Sequence, residues 1–246
     1  MSAAAQFGRR IGNELYKAAF PIYRPLYSAF KRYADRVERR LIASHLVAGS
    51  VVADVGANIG IYSQFLAKCV GPAGSVHSFE PCPTNFARLH AALSRSPNVR
   101  LNQLAVSDET GDSLLYVSPE LNVDHRLYAS EGQARRAVSI QSIRLDDYFK
   151  PGTRVDLIKM DIQGYELHAV RGAKRVLADN PDIILLLEFW PHGLKQAGAN
   201  WVDLMAALEE KDMIIRQVTS EGLIPFPSDA PSENADWYVN LFASRR

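Results

Sequence analysis

Residues 51–63, VVADVGANIGIYS, restrict the fold more than any other part of the chain. A β-branched run, Val51–Val55, stops at Gly56, and apolar residues return at helical spacing from Ile59 to Val70. A buried strand that turns through glycine straight into a helix is the opening unit of an α/β sheet. Gly56 permits the tight turn, and Gly60 is read as letting the backbone approach a ligand closely. The helix behind them offers unpaired N–H groups and its positive dipole end to something polar or anionic. With Asn58 between the two glycines, the spacing is not the G-x-G-x-x-G dinucleotide fingerprint.

The same rhythm continues downstream. Ser75–Phe79 reads as a strand, Pro83–Leu93 as a helix with proline in its opening turn, and Val99–Val106 as a third strand. Beyond position 143 come strand Val155–Met160, helix Tyr165–Leu177, strand Ile183–Phe189 and helix Trp201–Glu210. Strands Met213–Val218 and Trp237–Ala243 close the chain, with Gly222–Asp236 as a loop between them. Strands spaced by such helices predict right-handed βαβ units and a mostly parallel sheet. Ser113–Val117, His125–Ala129 and Ala137–Ile143 instead alternate like short strands, joined by polar loops at Glu120–Asp124 and Ser130–Arg136. This places a β-rich elaboration at 107–143 within a domain running from 47 to 246.

Charge marks off a separate head, residues 1–46. Residues 1–40 hold nine Lys/Arg against three acids; of the chain's 28 basic and 27 acidic residues this leaves 19 against 24 beyond. The head also carries Phe7, Tyr16, Phe20, Tyr23, Tyr27, Phe30 and Tyr33, several at three- and four-residue spacing. Two helices broken near Pro21 and Pro25 are expected, the second from about Leu26 to Leu46. Packing of the aromatics on the body is preferred to a face lying on anionic lipid or gripping an acidic acceptor. With 47% apolar and 22% charged residues, the balance is that of a globular protein. Two cysteines allow one bridge at most, no run approaches the length of a membrane span, and the N-terminus lacks the apolar core of a secretory signal. The expected setting is the cytoplasm, with residues 1–40 available for peripheral membrane contact and the oligomeric state open. A basic head without a recognition motif on an acidic body does not point to nucleic acid.

Glu80 ends the second strand, 20 residues after Gly60, where a carboxylate accepts hydrogen bonds from the two hydroxyls of a ribose. An acid there repels a 2′-phosphate, so an unphosphorylated ribonucleoside is expected. Asp161 and Glu188 end two apolar strands, at the edge where open α/β sheets place ligands. Glu166 opens the following helix and reads as an acid complementing its dipole. Several carboxylates around one crevice suit a cationic ligand centre, a metal or proton transfer. No Cys/His cluster suggests zinc.

DVGANIGIYS at 54–63, FEP at 79–81, AVSD at 105–108, KMDIQGYE at 159–166 with the RGA after it, and the terminal WYVNLFA together resemble FkbM-type S-adenosylmethionine-dependent methyltransferases. The likeness covers residues 50–190 well and the terminal strand more loosely, and it leaves out the head. It implies the class I methyltransferase (Rossmann-like) fold: a seven-stranded, mostly parallel twisted sheet with helices on both faces and strand 7 antiparallel between strands 5 and 6. Here an N-terminal helical extension is added. It further implies O-methylation of a sugar or polyketide hydroxyl with S-adenosyl-L-methionine. By the same resemblance, Asp54, Gly56, Asn58 and Gly60 surround the methionine part of that cofactor, Glu80 holds its ribose, and Ala105 and Val106 flank the adenine. Asp161 would lie near the sulfonium and the acceptor. Gln163 departs from the pattern, standing where many members have Glu, so no catalytic acid is expected at that position.

An alcohol is a poor nucleophile until its proton leaves, which calls for a base. Asp161, His125 in DHRLY and His192 in FWPHG are the candidates, in that order, and Arg126 could grip an acidic acceptor. No metal is assigned; a Mg²⁺ between Asp161 and Glu188 is the lesser alternative, since no third acid or amide at suitable spacing completes its shell. Two other classes stay open. A nucleoside-binding module without turnover, tethered to membrane or glycan-assembly partners, would bind S-adenosylhomocysteine and label no acceptor. A nicotinamide-dependent dehydrogenase would be stabilised by NAD.

Overall fold

The structure, a computed structural model, describes residues 12–118, 124–129, 135–227, 232 and 234–245. Residues 12–18 are helical (α1) and lead into α2 (Phe20–Ala34) and α3 (Arg36–His45). The break between the long helices falls at Asp35 rather than at Pro25. Pro21 sits in the first turn of α2, where a missing N–H costs nothing, and Pro25 one turn later frees a single carbonyl at an exposed position.

The α/β body starts with β1 (Val51–Val55), α4 (Ile61–Val70), β2 (Ser75–Phe79), α5 (Pro83–Leu93) and β3 (Val99–Asn102). The expected third strand divides after Asn102. Its second part, β4 (Ala105–Val106), leaves the main sheet and pairs with β6 (Arg136–Ile143), which also pairs with β5 (Gly111–Val117) in a three-stranded sheet. His125–Ala129 contributes one bridge, Arg126 to Tyr116, instead of a strand. Most of the loops read at Glu120–Asp124 and Ser130–Arg136, and part of the Gly222–Asp236 loop, lie outside the described residues.

After α6 (Leu145–Tyr148) the chain runs through β7 (Leu157–Met160), α7 (Glu166–Arg171), α8 (Lys174–Asp179), β8 (Ile184–Phe189), α9 (Pro191–Gln196) and α10 (Trp201–Glu209). The helix read over Tyr165–Leu177 is thus two. They meet at Gly172, where a Cβ would collide with the Ser107 carbonyl, so the glycine admits a crossing backbone. Strands β9 (Ile214–Thr219), β10 (Gly222–Pro225) and β11 (Val239–Ser244) finish the sheet.

The main sheet runs β10-β9-β11-β8-β7-β1-β2-β3, with β11 antiparallel between β8 and β9 and the five strands from β8 to β3 parallel. This is the implied arrangement with one addition. The sheet has eight strands rather than seven, because residues 222–225 hairpin back on β9 instead of looping away. Gly222 at φ +130° makes the reversal, and Pro225 sits on an edge strand, where its missing donor is tolerated.

Period-two alternation sorts the strand side chains into two cores. Val55, Ile158, Met160, Leu185, Leu187 and Leu241 face one way, against α7 to α10. Val52, Val76, Leu157, Leu186 and Phe242 face the other, against Ile42 and Leu46 of the head and Tyr62, Leu66 and Val70 of α4.

Candidate active site

The second face becomes polar at the carboxyl edge of the sheet. Asp54, Lys159 and Glu188 share the parity of Val52, Leu157 and Leu186, and Asp161 and Asn240 follow the same count. Register brings them side by side: Asp54 pairs with Lys159 across β1 and β7, and Glu188 with Asn240 across β8 and β11. A cavity of ≈ 280 Å³ opens over them, roofed by Lys31, Ala34, Asp35 and Glu38 of the head and walled by Tyr62 and Tyr238.

Lys159 organises this floor. Its ammonium lies 3.5 Å from Asp54 Oδ1 and 3.8 Å from Asp161 Oδ2, donates to the Gly56 carbonyl at 3.3 Å and sits 5.2 Å from the centre of the Tyr62 ring. Burial opposes the charge on Asp161, yet Lys159, Lys31 and a bond from the Gln163 amide outweigh it and hold the carboxyl below its usual range. Glu188 shifts the opposite way, pushed well up by burial and by the charges of Asp161 and Glu166. The Gln163 amide nitrogen joins the pair, donating to Asp161 Oδ1 at 3.1 Å and Glu188 Oε2 at 2.9 Å. A glutamate at that position could not donate to either. An amide donating to both carboxylates suits a hydrogen-bonded acid pair better than a cation.

The glycine turn lies beside this cavity. Gly56, Asn58 and Gly60 all have positive φ, at 79°, 51° and 82°. Both glycines are required by the protein itself. A Cβ on Gly56 would strike the Asp161 carbonyl, and one on Gly60 would strike Leu89 and Leu93 of α5. Packing on α5 is thus one reason for glycine at position 60, beside the ligand approach read from the sequence. Glu80 stands at the end of β2, accepting from the backbone N–H of Asn58 at 2.8 Å and of Cys82 at 2.9 Å. Burial pushes its pKa up to about 7 against those two bonds. One lone pair on each oxygen remains for two ligand hydroxyls.

Asp54 is fully buried beneath the turn, its Oδ2 accepting from Ser63 at 2.6 Å and its Oδ1 3.5 Å from the Lys159 ammonium, and it is not among the residues lining the cavity. Ala105 packs with Cys82, next to Glu80, whereas Val106 joins the main core. Glu166 is fully buried and accepts from the Ile162 N–H at 3.2 Å; it fastens the turn after β7.

Neither His125 nor His192 is among the residues lining the cavity. His125 accepts from the Ser118 N–H, and burial lowers its pKa to about 4, which makes it a weak base. His192 Nε2 lies 2.8 Å from the Gln196 amide on α9. Arg126 is held internally by Asp124, Gln196 and the Trp190 ring, leaving no fork for an acceptor. The elaboration still reaches the site, because Tyr128 donates its hydroxyl to the Gln163 carbonyl at 2.7 Å.

The head covers the turn as the preferred reading expected. Tyr16 and Tyr23 are buried against Ile59 and Ile61, the Tyr16 hydroxyl donates to Asn85, and the Arg88 guanidinium stacks on Tyr16 and Phe20. The head also roofs the cavity. Lys31 pairs with Asp35 at 2.7 Å, and Glu38 accepts from Asn240 at 2.8 Å. For Lys159 a signal existed: a lysine inside the apolar run LIKM must find carboxylates or not be buried.

A family model described as the methyltransferase FkbM domain matches residues 54–213. The 31-O-demethyl-FK506 methyltransferase FkbM of Streptomyces tacrolimicus is 50% identical over 64 residues, which are 26% of this chain and 24% of that protein. The hexuronic acid methyltransferase AglP of Haloferax volcanii is 28% identical over 142 residues, 56% of each chain. The chain thus spans about a quarter and about half of these two relatives. Among solved structures, a putative rRNA-methylase from Clostridium thermocellum aligns with a TM-score of 0.50 at 12% identity, over 84% of this chain and 94% of that one. That likeness is one of fold.

Proposed function

The chain belongs to the FkbM methyltransferase family, and from that premise we propose that it moves the methyl group of S-adenosylmethionine to a hydroxyl of a carbohydrate, glycoconjugate or polyketide-like acceptor. The observation that carries the reading is the shared wall between two half-sites. Gly56, whose turn leads to Glu80, touches both Asp161 and Lys159 on the cavity floor. The names of the two relatives, a 31-O-demethyl-FK506 methyltransferase and a hexuronic acid methyltransferase, support an oxygen acceptor.

The donor set fits the cofactor. Glu80 would take the ribose hydroxyls, the backbone from Gly56 to Gly60 would flank the methionine part, and Ala105 would lie towards the adenine. When bound, the sulfonium supplies an activated methyl group that needs no covalent help from the protein. The chain's own task is alignment, which can contribute up to about 7–11 kcal/mol when reacting atoms are held in line. Asp161, ionised beside Lys159, accepts a hydrogen bond from the acceptor hydroxyl, orients it and takes its proton as the oxygen bonds to the methyl carbon; such a base contributes roughly 10²–10⁴ in rate. Glu188, whose raised pKa favours the protonated acid, supports Asp161 through Gln163 and is not the base. Gln163 keeps the two carboxylates in that relation.

Transfer of tritium from labelled S-adenosylmethionine to a panel of sugars, glycolipids and macrolides tests this directly. Labelling of an acceptor supports transfer. Calorimetric binding of S-adenosylhomocysteine without any labelled acceptor would favour the binding module, and stabilisation by NAD alone would favour the dehydrogenase.

A further inference from the structure

Helix α2 carries two adjacent apolar stripes, and among the described residues only one of them is packed on the body. Tyr23 and Tyr27 point inward and stack at 5.2 Å between ring centres, with Tyr23 buried against Ile59 and Ile61. Ile22, Leu26, Phe30 and Tyr33 are spaced by four, four and three residues, within about 80° of one another on a helix that turns roughly 100° per residue. They are 58%, 58%, 61% and 73% exposed. Single exposed apolar residues are ordinary, but a continuous stripe of four large ones marks a contact surface.

The rim of the stripe is cationic. Arg32, Arg36 and Arg40 are exposed beside it, with the Arg36 guanidinium 5.2 Å from the centre of the Tyr33 ring and Arg40 Nε donating to the Arg36 carbonyl. The acids of the same two helices are engaged elsewhere. Asp35 pairs with Lys31, and Glu38 accepts from Asn240, both towards the cavity. A large apolar stripe flanked by arginines matches the boundary between headgroups and acyl chains of an anionic bilayer, where aromatic and aliphatic side chains enter and basic ones meet phosphate. A two-fold contact through the same face would set Arg32 and Arg36 against their own copies with no acid between them. Among the described residues, no helix is long and apolar enough to cross a membrane. We propose that the outer face of α2 docks the protein on an anionic lipid surface, lying in the interface without crossing it. This docking stands independently of the methyl-transfer reading.

Flotation of the full chain with phosphatidylcholine vesicles, with and without about 30 mol% phosphatidylglycerol, tests the proposal. Wild type should partition onto the anionic vesicles at least about tenfold more strongly than onto neutral ones, and less as salt rises. Leu26→Glu with Phe30→Glu should abolish flotation while the melting temperature stays at the wild-type value. If that pair melts early, Phe30→Ser alone, which removes apolar area without adding charge, should lower partitioning by roughly threefold or more. Arg32→Gln with Arg36→Gln should remove the lipid-charge preference. Flotation unchanged in folded stripe variants, equal binding to both vesicle types, or none to either would overturn the proposal. So would a dimer in sedimentation velocity that Leu26→Glu with Phe30→Glu dissociates while no vesicle binding is seen.

Discussion

The two half-sites we propose at the carboxyl edge are built in different ways. The cofactor half, from Asp54 to Cys82, is local: one strand–turn–helix–strand unit supplies the turn, the Glu80 anchor and the two amides that hold it. The acceptor half is assembled across the chain, with Lys31 and Asp35 from the head, Lys159 and Asp161 after β7, Glu188 from β8 and Asn240 from β11. Charge also differs between them. Glu80 is a lone buried acid answered by backbone N–H groups, whereas in the Asp161–Glu188 pair Lys159 and Lys31 hold Asp161 down against its burial, and burial and the charge of Asp161 push Glu188 up. A half built on backbone bonds is set by the turn alone; a half built on buried charges exists only while every partner is in place.

The sharpest test of that contrast is Asp161→Asn. Turnover should fall by about 10²–10⁴ at saturating cofactor while S-adenosylhomocysteine affinity moves less than about twofold by calorimetry. Retained activity would remove Asp161 from the acceptor half. Lys159→Met should come next, with a loss of about 3–5 kcal/mol in urea unfolding, because Asp54 and Asp161 are left without their shared cation. A cost under about 1 kcal/mol would mean that the cluster is not coupled as its distances indicate.

Glu80→Ala should act on the other half alone. It should weaken S-adenosylhomocysteine binding by about 1–3 kcal/mol through lost hydrogen bonds, with turnover at saturation largely kept. The opposite split, unchanged affinity and lost turnover, would merge the two halves into one. The smallest effect concerns pH. Glu80 and Glu166 have folded pKa values raised to about 7, above the ordinary 4.5, so the stability they confer is full at acid pH and is lost as pH rises through about 7. His77 and His125, lowered to about 4, contribute in the other sense, losing stability as pH falls below about 6.5. Comparing wild type with Glu166→Gln from pH 5 to 8 isolates one acid. The variant's melting temperature should decline less with rising pH, and parallel curves would show that Glu166 carries no such linkage.

Expectations from sequence held where the physics is local and failed where it is not. The strand–glycine–helix unit and the apolar runs of β1, β7 and β8 announce themselves, because four buried residues in a row have few alternatives in a parallel sheet. Pro25 misled because a proline near the start of a helix removes only one bond, which water at an exposed position replaces. Residues 222–225 were read as loop because edge strands are short and weakly patterned, and only the neighbouring β9 makes them pair. His125 and His192 were candidates by residue type and by place, His192 just after the Glu188 strand end and His125 in a segment expected to fold over the crevice; neither is among the residues lining the cavity.

The amino-acid sequence by itself determined the parallel α/β framework, the family, and an acid at each of three strand ends, since these follow from alternation and from motifs a dozen residues long. Only the tertiary structure decided that Lys31 roofs a cavity floored by Lys159, that Gln163 ties Asp161 to Glu188, and that α2 turns a second apolar face outward. Those facts rest on contacts between residues up to about 200 positions apart, where side-chain packing and shared burial of charge fix the geometry and local preference has no say.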